Sequence, residues 1–182
     1  LRNQVQAGIN MGICGFPWWK TDTGGFMHGG VDDPKFHELL IRWFQYSTFC
    51  PVLRMHGDRK SSKHIPDGNR YFPPNEIWSY GEEVYEILKK YVELREGIKD
   101  YVKEKMDEAS ENGSPLIRAM FYEFPSDEEC WKLSTQYMFG DKYLVAPVLE
   151  AGAEKREVYL PDGKWENIHN GEIISGGKYI CA

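Results

Sequence analysis

Two short apolar runs, residues 12–16 and 50–55, flank a stretch in which Phe36, Leu39, Leu40, Trp43 and Phe44 recur at helical spacing. Runs this short suit strands buried in a sheet, while the spacing between them gives one apolar face of a helix. Asp33-Pro34 opens that helix: an acceptor side chain for the first free N–H groups, then a residue whose φ is already helical. A strand, a helix and a second strand form the repeating unit of an α/β fold.

The pattern continues downstream. Glu82 and Glu83 favour a helix N-terminus through the macrodipole. Val84, Ile87, Leu88, Tyr91, Val92, Ile98, Tyr101 and Val102 extend its apolar stripe, with Gly97 as the natural break and Asn112-Gly113 as the end. Residues 116–121 read as a third strand. Ser126-Asp127-Glu128-Glu129 is a capping box that predicts a short helix stopping at Gly140. Beyond it, residues 143–148, 156–160 and 164–168 are short strand patterns without helical period, the last two joined by a Pro161-Asp162-Gly163 turn. The expected division is therefore an α/β portion over 1–140 and the start of an antiparallel sheet over 141–182. Three βα units cannot close a barrel, so the first part is either the end of a (β/α)8 barrel or a nearly complete doubly wound sheet. Periodicity leaves both open.

Composition narrows the function. Of 182 residues, 41% are hydrophobic and 14% aromatic, which excludes disorder. A net charge of −6 argues against nucleic acid and anionic membranes as partners, since both need a clustered basic patch. Cys14, Cys50, Cys130 and Cys181 lie far apart without metal-ligand spacing. They read as small hydrophobes in a reducing, cytoplasmic compartment, and no metal or cofactor is expected. The chain starts at Leu1 and not at methionine, which suggests a fragment or a processed product.

In βα folds, chemistry gathers at the C-terminal ends of strands. Those positions carry Trp18, Trp19, Lys20, Thr21, Asp22 and Phe26 after the first run, and Arg54, His56, Asp58 and Arg59 after the second. Glu123 and Phe124 follow the third, and the long loop over 57–75 suits a binding role. Aromatic faces pack on the C–H surface of a sugar while carboxylates, His and Arg hold its hydroxyls. Structural alternatives stand beside this reading. Asp22 before two glycines shapes a turn, Trp18 and Trp19 alternate between faces, and Glu123 is within reach of Arg118. On chemistry alone, Asp22 and Glu123 are candidates for the carboxylate pair of a glycosidase.

Gly15-Phe16-Pro17-Trp18-Trp19-Lys20-Thr21-Asp22-Thr23-Gly24-Gly25-Phe26 resembles the P-x-W-x-x-D-[IV]-G-G-F stretch of glycoside hydrolase family 31. Arg42-Trp43-Phe44-Gln45-Tyr46, Phe49-Cys50-Pro51 and Arg54-Met55-His56-Gly57 continue it in the family's order. Arg118 to Pro125 looks like its last barrel strand, and Gln136 to Gly140 with Leu144 to Val148 like the entry to its β-sandwich. The resemblance implies an α/β fold made of the last strands and helices of a (β/α)8 TIM barrel, followed by the first strands of an antiparallel β-sandwich. It implies part of a retaining α-glycosidase acting on terminal α-linked glucose or xylose. A transglycosylase, an α-glucan lyase or a non-catalytic carbohydrate-binding module is the alternative.

Asp22, His56 and Phe26, with Trp19, become substrate-binding residues of the −1 subsite by this likeness. Both catalytic carboxylates are expected upstream of Leu1, so Glu123 becomes structural. The implied partners are an oligosaccharide, the remainder of the barrel and, given the open sheet edges, a second copy of the chain.

Overall fold

The computed structural model describes residues 1–27, 29–57, 59 and 75–182. Asp58 and most of the loop expected over 57–75 lie outside the described residues.

The first element is a helix, α1 (Arg2–Ile13), where the sequence led to a strand beginning at residue 12. Its two glycines and two asparagines are poor helix formers, and no side chain caps its start. Tertiary packing overrides that propensity, because Val5, Gly8, Ile9 and Gly12 fall on one buried face. A Cβ on Gly12 would lie 2.3 Å from the Ile117 carbonyl oxygen, and one on Gly8 would lie 2.7 Å from both Trp19 Nε1 and Tyr46 Oη. The glycines that hide the helix from a propensity argument are what let it sit so close to its neighbours.

Helix α2 (Pro34–Thr48) starts as expected, with Asp33 accepting from the Lys35 amide at 3.0 Å. Extended chain flanks it on both sides. The Val52 amide donates to the Trp19 carbonyl and the Thr23 amide to the Arg54 carbonyl, each at 3.3 Å, and Thr23 bridges Met55 in parallel. Residues 19–23 and 51–55 are thus parallel neighbours joined by α2, a βαβ unit whose strands fall a few residues later than the apolar runs that announced them. Between α2 and the second segment, Arg95 donates to the carbonyls of Thr48, Cys50 and Pro51 at 2.7–2.8 Å. It satisfies the acceptors freed where the helix ends and the chain turns back.

Helices α3 (Glu82–Gly97) and α4 (Lys99–Asn112) are the long stripe broken where Gly97 stands, and Gly113 ends α4 at φ 81°. The strand expected over 116–121 is β1 (Ile117–Ala119), which passes directly into the one-turn helix α5 (Met120–Glu123). It pairs antiparallel with β2 (Tyr137–Phe139), which pairs antiparallel with β3 (Tyr143–Val145). The third strand is therefore not a parallel barrel neighbour of the first two. The capping box also behaves differently from expectation. Asp127, not Ser126, accepts from the Glu129 amide, and one 3-10 turn, Glu128–Lys132, replaces a helix running to Gly140. The segment that would have continued it is needed as the central strand. Strands β4 (Glu157–Leu160) and β7 (Lys178–Cys181) pair antiparallel, as do β5 (Lys164–Glu166) and β6 (Ile173–Ser175).

One core joins α1, the end of α2, α4 and the β1–β3 sheet through Val5, Ile9, Tyr46, Val102, Ile117 and Phe139. A second lies between α2 and the start of α3, where Phe36, Leu40 and Phe44 meet Tyr80, Val84 and Leu88, with Leu53 and Met55 against them. Cys50 and Cys130 are buried with their thiols pushed up to about 12 by desolvation, so they act as packing groups, while Cys14 and Cys181 are exposed. Among the described residues no helix is long and apolar enough to cross a membrane.

Candidate sugar-binding site

Alternation along the two parallel segments decides which side chains meet. Trp19, Thr21 and Thr23 face α2. The Trp19 indole donates to Tyr46 Oη at 3.1 Å, Trp43 Nε1 donates to Thr21 Oγ1 at 2.8 Å, and Thr23 Oγ1 donates to Ser47 Oγ at 2.9 Å. With period two, Trp18, Lys20 and Asp22 must then share the opposite face. On the neighbouring segment Leu53 and Met55 pack into the second core, which turns Arg54 and His56 to that same open face. Trp19, expected at the sugar, is thus placed on the core side, and Trp18, 61% exposed, takes the open one.

Because the segments are parallel, their C-terminal ends lie side by side, and Asp22 and His56 converge there. Lys20 Nζ donates to Asp22 Oδ1 at 2.6 Å. That hydrogen bond, together with the Lys20 charge, holds the Asp22 carboxyl below the usual carboxylate range, with the charge of Arg54 helping. Asp22 is therefore an anion and a hydrogen-bond acceptor at neutral pH. Arg54 Nη2 approaches His56 Nδ1 at 3.4 Å. Since a guanidinium only donates, Nδ1 accepts and the ring proton is left on Nε2, available to an oxygen of a ligand. The Phe26 ring tilts over His56 with centroids 5.5 Å apart and is 57% exposed, an apolar surface beside the two polar groups.

The turn between Asp22 and Phe26 explains its glycines. The Gly25 amide donates to the Asp22 carbonyl at 2.7 Å, and Gly24 and Gly25 take φ of 86° and 88°, a region that costs other residues dearly. Beneath the turn, Arg59 is 1% exposed, although it stood among the residues with sugar-contacting chemistry. Nothing in the sequence marks that burial. Lys20 is legible as a partner of Asp22 by counting alternate positions back from it, whereas Arg54 comes from the neighbouring segment.

Glu123 is elsewhere. Arg118 Nη1 donates to its Oε1 at 2.5 Å, and Nη2 reaches Glu108 at 3.1 Å. Lys105 continues the network from Glu108 at 3.0 Å to Asp141 at 2.8 Å. These charges tie α4 to the β1–β3 sheet, and the structural role of Glu123 follows. Among the described residues no group of three or more His, Cys, Asp or Glu side chains could hold a metal ion.

Comparison with known proteins identifies the family of the chain. The glycosyl hydrolases family 31 TIM-barrel domain model matches residues 1–104, and the glycosyl hydrolase family 31 C-terminal domain model matches residues 113–182. An α-xylosidase of Saccharolobus solfataricus is 35% identical over 99% of the chain, which corresponds to 23% of that enzyme. An α-glucosidase of the same organism is 37% identical over 99% of the chain and 24% of its own length. The crystal structure of a GH31 α-xylosidase from a soil metagenome, complexed with xylose, superposes with a TM-score of 0.92 at 47% identity, covering 98% of this chain and 28% of that one. The chain spans about a quarter of the length of these relatives.

Proposed function

The chain belongs to glycoside hydrolase family 31, and on that footing we propose that it is a segment of a retaining α-glycosidase that hydrolyses terminal α-linked glucose or xylose from oligosaccharides. The observation that carries the reading is the convergence of Asp22, His56 and Phe26 at the C-terminal ends of two parallel strands, where βα enzymes hold their substrates. Asp22 accepts hydrogen bonds from sugar hydroxyls as an ionised carboxylate. His56 donates from Nε2, and the Phe26 face packs on the apolar side of the ring.

The reaction is a double displacement. One carboxylate attacks the anomeric carbon, and a second protonates the leaving oxygen and then takes a proton from the water that releases the sugar. Both carboxylates belong to barrel strands outside this chain, whose own residues hold the sugar so that its contacts tighten as positive charge develops at the ring.

Proton NMR of the first sugar released from p-nitrophenyl α-glucoside and α-xyloside tests the reading. The α-anomer is expected, and β-anomer first would refute it. Asp22→Asn and His56→Ala should each lower kcat/KM about 10- to 100-fold, the loss of one hydrogen bond to a charged or well-oriented group, ~1.5–3 kcal/mol. Near-normal kinetics with a large fall in melting temperature would instead make these residues structural.

A further inference from the structure

Arg59 is bonded to both turns that carry the candidate sugar ligands. Its Nη1 donates to the Gly25 carbonyl at 2.8 Å, and its Nη2 donates to the Thr23 carbonyl at 2.9 Å. The same Nη2 reaches the His56 carbonyl at 3.4 Å, so one guanidinium spans two segments that are separated by a whole helix in sequence. Nε donates to Tyr80 Oη at 3.1 Å, and that hydroxyl donates in turn to Asn75 Oδ1 at 2.5 Å. The Asn75 amide closes the path by donating to the Gly57 carbonyl at 3.3 Å. The guanidinium also lies over the Phe36 ring, 5.1 Å from its centroid.

The surrounding sequence leaves room for it. A Cβ on Gly24 would come within 2.7 Å of Nη2, and one on Gly57 within 2.7 Å of Nη1. Gly24 therefore keeps open space that the guanidinium fills, while at Gly57 the Gly25 carbonyl oxygen, 2.4 Å from such a Cβ, stands closer still than the guanidinium. A buried planar fork with fixed donor directions suits this task, whereas a lysine would present one compact ammonium on a flexible stem.

We propose that Arg59 is a positioning residue of the sugar-binding face: it locks the turn after Asp22 to the segment bearing His56, so that the two ligands stand in a fixed relation. At 1% exposure it is buried beneath the site and acts on it through the backbone it holds. The inference rests on the reading that Asp22 and His56 bind the substrate. Misplacing a bound group by about 1 Å can cost a hundredfold in rate.

The test is a mutant cycle in the full-length enzyme that carries this chain, read as kcat and KM well below the unfolding temperature. Arg59→Lys should lower kcat/KM about 10- to 100-fold. In the Asp22→Asn, His56→Ala background the same change should cost less than about threefold, because the groups it positions are gone. A full multiplicative loss in that background, or a lower melting temperature with unchanged kinetics, would overturn the proposal. Should Arg59→Lys not fold, Tyr80→Phe, which removes the acceptor for Nε and the donor to Asn75 Oδ1 while leaving the guanidinium in place, carries the same cycle with a smaller loss and the same non-additivity. Additivity there overturns it equally. If Asp22→Asn and His56→Ala alone leave activity intact, the sugar-binding reading itself falls, and that failure is told apart by the single variants.

Discussion

Gly12→Ala should destabilise the protein, although the same change in an isolated helix would stabilise it. In a helix interior alanine is favoured over glycine by about 1 kcal/mol. At this position the new Cβ would stand 2.3 Å from the Ile117 carbonyl oxygen and 3.3 Å from the Pro115 side chain. Carbon and carbonyl oxygen approach no closer than ~3.3 Å in ordinary contacts, so α1 must retreat from β1 by about 1 Å. Val5 and Ile9, both buried on the same face, then lose contact along the gap. Overpacking of this kind costs ~1–3 kcal/mol, and a backbone obstacle, which cannot rotate away, puts it at the upper end. The net expectation is about 2 kcal/mol of destabilisation.

Gly97→Ala is the matched control. A Cβ there meets nothing within 4 Å, so a gain of ~0.5–1 kcal/mol is expected. Equilibrium urea unfolding followed by tryptophan fluorescence should move the two midpoints in opposite directions at unchanged slope. If Gly12→Ala stabilises as much as Gly97→Ala, α1 does not lie against β1, and the account of the shared core is wrong.

Arg95→Met should cost ~3–5 kcal/mol in the same titration, since it strands three carbonyls that a charged group satisfies at the turn after α2. A loss below about 1 kcal/mol would mean that water replaces the guanidinium. Lys105→Met should flatten the acid limb of stability. Burial pushes the Asp141 carboxyl up, but hydrogen bonds from Lys105 and Tyr101 outweigh it and leave it lowered, while Lys105 lowers Glu108. A carboxylate lowered in the folded state stabilises above its unfolded pKa, about 4, and that stability is lost as pH falls through the lowered value. Melting temperature against pH from 2.5 to 7 should therefore fall less steeply in the variant, and parallel profiles would refute the linkage.

Much of this chain is legible residue by residue because the relevant physics is local. Asp33-Pro34 starts α2, Gly97 divides α3 from α4, and Asn112-Gly113 ends α4, each through a cap or a backbone angle that belongs to a few neighbouring residues. The ordered motifs from Gly15 to Phe26 and from Arg54 to Gly57 likewise carry the family likeness, and with it Asp22, Phe26 and His56.

Other features depend on groups distant in sequence. Helix α1 exists because its glycines admit Ile117, Trp19 and Tyr46, which no propensity within α1 encodes. The antiparallel direction of β1 is set by β2, some twenty residues away. Trp18 rather than Trp19 faces the site because α2 buries alternate residues from Thr23 backwards, and the phase of that alternation is fixed only when the helix packs. Arg59 reads as a surface ligand until Thr23, Gly25, His56 and Tyr80 close around it. A cap or a turn is decided by steric and hydrogen-bond terms between near neighbours, whereas the burial of a charge is decided by partners that only the folded chain brings within reach.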